Sequence, residues 1–209
     1  DGIALEVTYP YAPQPITIEA PIWGKHNALN LLASFAVLHL AGIEPAHAAA
    51  AFRQFTGLKR RSEQLGSADD VLVFDDFAHH PTAIAATIQA MRSRYPSRRI
   101  VAAFEPRSAT SCRSVLQDEL GQAMAGADVA LLSKAFRRRN IPPADRIDLH
   151  AVEQQVQAAG KAIHICDSPD HLVDLVVPLL APGDLFLAMS NGHFGNVPQR
   201  VLDALAKRA

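Results

Sequence analysis

Asp75-Asp76-Phe77-Ala78-His79-His80-Pro81-Thr82 puts two carboxylates and two imidazoles into one short segment. Those are the donor types of hydrolytic metal sites, so Asp75, Asp76, His79 and His80 suggest a metal-dependent phosphoesterase, with His193 and Glu105 as candidates for its remaining ligands. Nucleotide binding draws on more of the chain. Glu105-Pro106-Arg107-Ser108, Ser133-Lys134-Ala135-Phe136-Arg137 and Ser190-Asn191-Gly192-His193-Phe194 each carry charged or amide side chains. In Gly24-Lys25-His26-Asn27-Ala28-Leu29-Asn30, Asn27 and Asn30 are three apart at a helix start. They share a face where two carboxamides can donate to and accept from a flat heterocycle such as adenine. Arg60 and Arg61, followed by Glu63, can meet phosphate bidentately where they face an ATP site.

Each segment has a plainer reading. Asp75 and Asp76 can be a solvated strand end, Pro81 pushes His80 toward extended backbone, and Thr82 can cap the next helix. Asn27 reads equally as a cap and the arginine pair as solvated. What weighs against these readings is where the segments fall.

From Val71 onward, short apolar runs alternate with helix-spaced patterns. Strands are expected at Val71 to Phe74, Ile100 to Phe104, Val129 to Leu132, Ile163 to Cys166 and Leu185 to Met189. Helices are expected over Thr82 to Arg94, Ser114 to Met124, Leu149 to Ala159, Leu172 to Leu180 and Val197 to Lys207. Gly160 closes the third, and Ser168-Pro169-Asp170 opens the fourth with a cap, a first-turn proline and an early acid. Nearly all-apolar strands separated by helices predict an α/β fold: a doubly wound, mostly parallel sheet covered on both faces. In such sheets ligands bind outside the carboxyl ends of the strands, and the four loaded segments all follow strands. A purely structural sheet has no reason to load one edge four times.

The first 55 or so residues read differently. Strands at Leu5 to Tyr9 and Ile16 to Ile18 flank a turn at Pro10 to Pro15, Gly24 precedes a long helix to about Ala41 that Gly42 closes, and Pro45 opens another to about Phe55. The expected division is residues 1–56, the tail of a preceding domain, and residues 57–209, one complete domain.

Over 209 residues the formal net charge is −1 and 20% are charged, which provides no global field for nucleic acid or anionic lipid. Cys112 and Cys166 are isolated, which argues against a disulfide framework or zinc cage. With no secretory leader and no run of ~20 apolar residues, a soluble cytoplasmic protein is expected.

In this order, Gly-Lys-His-Asn-Ala-Leu-Asn at 24 to 30, Gly-Leu-Lys-Arg-Arg-Ser-Glu at 57 to 63 and Asp-Asp-Phe-Ala-His-His-Pro-Thr at 75 to 82 resemble the Mur ligases. With Phe104-Glu105-Pro106-Arg107-Ser108, they look most like the branch that recycles murein peptides; the L-alanine-adding branch is the nearest alternative. The resemblance implies an ATP-dependent ligase with Mg2+, acting in peptidoglycan recycling. It would activate UDP-N-acetylmuramate as an acyl phosphate and join it to the murein tripeptide L-alanyl-γ-D-glutamyl-meso-diaminopimelate. By the same resemblance Asn27 and Asn30 contact adenine, Arg61 the phosphates, Asp76 the ribose or the nucleotide's metal shell, and His26 lies near magnesium. His79, Arg107, Lys134, Asn191 and His193 face the incoming peptide or the acyl phosphate. No G-x-x-x-x-G-K-[ST] phosphate loop occurs. The family carries it in a central domain, so upstream domains of the same chain are expected partners and this piece alone is expected not to turn over.

Overall fold

The computed structural model describes residues 2–9, 14–134 and 141–208. The chain divides into two compact units, residues 1–58 and 59–209. In the first, β1 (Ile3–Val7) and β2 (Ile16–Ala20) pair antiparallel with Leu5 opposite Ile18. The expected turn between them includes residues 10–13, which lie outside the described residues. Two helices follow, α1 (Lys25–Leu40) and α2 (Pro45–Arg53), the second opened by its proline. Val7, Ile18, Phe35 and Ala48 form a small core, with Tyr9 edge-on to Phe35 at 5.7 Å. Gly42, at φ 80°, supplies the left-handed backbone that turns the chain after α1.

The second unit is a sheet of six strands in the order β3 (Glu63–Ala68), β4 (Val71–Asp76), β8 (Asp184–Met189), β5 (Arg99–Phe104), β6 (Val129–Ser133), β7 (Ala162–Cys166). All neighbours are parallel except β3, which pairs antiparallel with β4. The connections are α3 (Pro81–Arg94), α4 (Gln117–Met124), α5 (Leu149–Ala158) and α6 (Pro169–Leu179), and α7 (Val197–Ala206) ends the unit. Side chains alternate across the sheet. Val71, Val73, Val101, Ala103, Leu131, Phe186 and Ala188 are buried with Leu172, Val176, Val201 and Leu205 of α6 and α7. The alternate strand positions, including Phe74, Ile100, Phe104, Leu132 and Leu187, are just as buried, as are Ile84, Met91 and Met124 of α3 and α4. Each fully buried large side chain contributes about 1.5–3 kcal/mol from apolar burial. The mostly parallel sheet covered by helices is therefore as the apolar runs predict.

The edge strand β3 is absent from the sequence reading. Its sequence Glu-Gln-Leu-Gly-Ser-Ala is polar and interrupted by a bulge between Gln64 and Gly66, so it lacks the alternation that identifies a half-buried strand. Asp69 and Asp70, both left-handed at φ 51° and 54°, form the two-residue turn of this hairpin, and Asx residues tolerate that backbone best after glycine. Gly66 lets the edge approach α7: a Cβ there would lie 2.9 Å from Leu202. The expected helix from Ser114 begins instead as a short 3₁₀ turn, Ser114–Leu116, before α4.

Candidate functional site

Because β4, β8, β5, β6 and β7 run parallel, their carboxyl ends share one edge, with Asp76 and Phe104 both paired to Met189. The most closely wired part lies where β8 is inserted between β4 and β5. There Ser190 N–H donates to Asp76 O at 3.1 Å and Glu105 N–H to Met189 O at 3.1 Å. Glu105, only 4% exposed, accepts from Ser190 Oγ at 2.7 Å, and Ser190 Oγ in turn accepts from Gly192 N–H at 2.9 Å. The guanidinium of Arg107 stands 3.7 Å from Glu105. Its side chain lies so flat on Gly192 that a Cβ there would fall 2.1 Å from Arg107 Cδ. Beside it, Asn191 Oδ1 is buried with no hydrogen-bond partner, an arrangement that costs about 1–3 kcal/mol until a donor arrives.

Asp76 is buried, and both its carboxylate oxygens are engaged. One accepts from Ser62 N–H at 2.6 Å and Ser62 Oγ at 3.2 Å, the other from Ala78 N–H at 2.7 Å. Arg60 and Ser62 are left-handed at φ 56° and 53°, and the bonds to Asp76 hold Ser62 there. Arg60 donates to Asp75 at 2.9 Å and to the Ser190 carbonyl at 2.6 Å, while its own N–H meets Glu63 at 2.7 Å. Burial pushes the Asp75 carboxyl above its usual range, and the Arg60 guanidinium offsets this only in part. Arg61, by contrast, is exposed, with its guanidinium 5.1 Å from the centre of the Phe77 ring.

His79 Nδ1 lies 3.0 Å from the Phe77 carbonyl, which can only accept. That nitrogen is therefore the donor in this bond. His79 lines a small cleft with Pro81, Phe104, Ser111 and Leu120. His80, not Thr82, caps α3: its Nδ1 accepts from Thr82 N–H at 3.3 Å.

These bonds correct the metal-hydrolase reading of Asp75, Asp76, His79 and His80. One carboxylate is held by arginine, the other by backbone donors, one imidazole by a carbonyl, and the other caps a helix. Among the described residues no three His, Cys, Asp or Glu side chains are placed to hold a metal.

Arg107 and Asn191 thus stand together with Asp76 on the β4, β8 and β5 ends. Lys134 follows β6 and is paired to Asp167 at 2.5 Å, an exposed contact that holds the Asp167 carboxyl below its usual range. The rest of that expected segment, Ala135, Phe136 and Arg137, lies outside the described residues. His193 is exposed on the loop after β8. Asn27, Asn30 and His26 lie at the start of α1 in the first unit, where Asn27 Nδ2 donates to Trp23 O at 2.8 Å and Asn30 is exposed. Glu105 is expected as a spare metal ligand and Arg60 as a phosphate contact, whereas the fold uses both, together with Ser190, to wire the strand ends to one another. A glutamate directly after five residues of apolar strand was the available signal for the first.

Residues 60–192 match the Mur ligase, glutamate ligase domain. The chain is 41% identical over 187 residues to the UDP-N-acetylmuramate–L-alanyl-γ-D-glutamyl-meso-2,6-diaminoheptandioate ligase of Escherichia coli K12, covering 89% of this chain and 39% of that protein. It is 32% identical over 206 residues to the UDP-N-acetylmuramate–L-alanine ligase of Streptomyces coelicolor, covering 99% and 44%. The solved murein peptide ligase of Psychrobacter arcticus superposes with a TM-score of 0.75 at 31% identity, over 99% of this chain and 42% of that one. The chain thus spans about two fifths of the length of these relatives.

Proposed function

The chain belongs to the Mur ligase family, and from that membership we propose that it is part of an ATP-dependent amide ligase joining L-alanyl-γ-D-glutamyl-meso-diaminopimelate to UDP-N-acetylmuramate in peptidoglycan recycling. The likeness to the E. coli ligase named for that peptide supports this substrate over L-alanine alone. The observation that carries the reading is the gathering of Arg107, Asn191 and buried Glu105 where β8 is inserted between β4 and β5, the crevice at which open parallel sheets bind ligands.

In the proposed reaction a carboxylate oxygen of UDP-N-acetylmuramate attacks the γ-phosphorus of ATP and ADP leaves. The free amine of the peptide then attacks the acyl carbon, phosphate departs and the amine loses a proton. Both steps develop anionic charge, which fixed donors in a site shielded from water stabilise best. Arg61, exposed at the start of the second unit, is suited to the phosphates, while Asn27 and Asn30 supply carboxamides for adenine. Asp76 acts chiefly as a positioning residue, since its oxygens hold the Arg60 to Ser62 turn. Magnesium would accompany ATP, with His26 the residue the family pattern puts nearest it. The phosphate loop is absent from these 209 residues, so turnover is expected only when upstream domains supply it. None of the described helices is long and apolar enough to cross a membrane.

The test is ligation by the intact enzyme containing this chain, with UDP-N-acetylmuramate, ATP and either the tripeptide or L-alanine. Tripeptide-dependent release of ADP is expected. Preference for L-alanine reassigns the substrate, and release with neither amine rejects the ligase reading.

A further inference from the structure

Arg60 and Arg61 are adjacent, yet the fold uses them differently. Arg60 donates through Nε to Asp75 at 2.9 Å and through a terminal nitrogen to the Ser190 carbonyl at 2.6 Å, so its charge is matched and two of its donors are taken. Among the described residues the exposed Arg61 guanidinium makes no hydrogen bond or ion pair, and it rests over the Phe77 ring, 5.1 Å from the centre. Phe77 is itself well anchored. Its N–H donates to the Arg60 carbonyl at 2.7 Å, its own carbonyl accepts from His79 Nδ1 at 3.0 Å, and the His79 ring stands edge-on to it at 5.4 Å. Buried Asp76 and Ala78 flank it in the chain. The ring, half-buried between them, therefore presents its negative face in one place.

The chemistry of that seat matters. A carboxylate beneath Arg61 would take its donors and cancel its charge, as Asp75 does for Arg60. An aromatic face attracts the cation through its quadrupole and leaves the charge uncancelled, so the guanidinium fork stays open to an incoming anion. A long side chain that already rests in place also loses less freedom on binding than one that samples many rotamers. We propose that Phe77 is a positioning residue that pre-sets Arg61 for the phosphates of ATP through a cation–π contact. The inference rests on the proposed role of Arg61 and deepens it by naming what orients that arginine.

The test titrates ATP and adenosine, each alone, into the intact enzyme containing this chain, with calorimetric detection. Phe77 is replaced by mono-, di- and trifluorinated phenylalanine, which drain the ring face stepwise at nearly constant shape. The dissociation constant for ATP should rise with each fluorine, to about two- to fivefold in all, the range of one exposed cation–π contact. Adenosine, which has no phosphate, should bind alike throughout. In Arg61→Ala, ATP should bind more weakly and the fluorine series should become flat, which separates Arg61 from Arg60, whose guanidinium also lies over the ring at 5.5 Å. The proposal is overturned by an ATP affinity indifferent to fluorine, by an equal loss for adenosine, by a fluorine effect that survives Arg61→Ala, or by wild-type ATP affinity in Arg61→Ala. An intact enzyme that shows the graded ATP effect and ligates nothing overturns only the ligase reading. One that ligates with a flat series overturns only the role of Phe77.

Discussion

Replacing Asp76 by asparagine removes one charge and almost no volume. Asp76 meets two backbone donors, Ser62 N–H at 2.6 Å and Ala78 N–H at 2.7 Å, on different oxygens. Asparagine can accept only one of them, because its other end is an NH2 group that points a donor at a donor. One charge-assisted bond is lost, the surviving one is weakened, and a backbone N–H is left without an acceptor. A hydrogen bond to a charged group is worth about 1.5–3 kcal/mol, and Asp76 is 4% exposed, so water repays little. The expected cost is about 2–3 kcal/mol, part of it the release of the left-handed Ser62 backbone that these bonds hold. At about 2–4 °C per kcal/mol for a unit of this size, the melt should fall by about 4–12 °C. Circular dichroism measures the melt, and amide hydrogen exchange should show protection lost first at Ser62 or Ala78. A melt within about 1 °C of wild type, with both amides equally protected, would refute the reasoning.

Asp128 carries a pH signature. Burial alone would raise its carboxyl, but the Ile100 N–H, Arg92 and Lys161 outweigh that and hold it below the ordinary 3.8. A lowered folded value contributes stability above 3.8 that is lost as pH falls through it, so Asp128→Asn should be less stable than wild type at neutral pH and converge with it in strong acid, as read from urea midpoints at each pH. Cys166, with its thiol pushed up to about 11 by burial, should resist iodoacetamide at pH 8 in the folded chain and react only after denaturation, as mass spectrometry reports. Phe186→Ala, at 0% exposure in the middle of the sheet, should destabilise the second unit by about 3–5 kcal/mol in urea titration. Gly192→Ala should leave the melt nearly unchanged and yet lower ligation by the intact enzyme, because its Cβ occupies the space 2.1 Å from Arg107 Cδ and displaces the guanidinium.

The apolar runs at Val71, Ile100, Val129, Ile163 and Leu185, each followed by a helical pattern, were enough to predict a parallel sheet and hence a shared carboxyl edge. That inference needs only the period of the chain and the handedness of its crossovers. Residue order likewise sufficed to place Arg107 and Asn191 on that edge. What remained hidden depended on partners distant in sequence. Nothing near Leu185 states that β8 inserts between β4 and β5, yet that insertion brings Ser190 to Glu105, 85 residues away, and to Arg60, 130 residues away. Polar β3 was invisible because its pairing to β4 and packing on α7 come from neighbours, not from its own pattern. Asp75, Asp76, His79 and His80 look like metal ligands in sequence, where only donor type and spacing can be read. In the fold each already has a partner, because the tertiary structure alone decides which buried donors and acceptors remain unmatched.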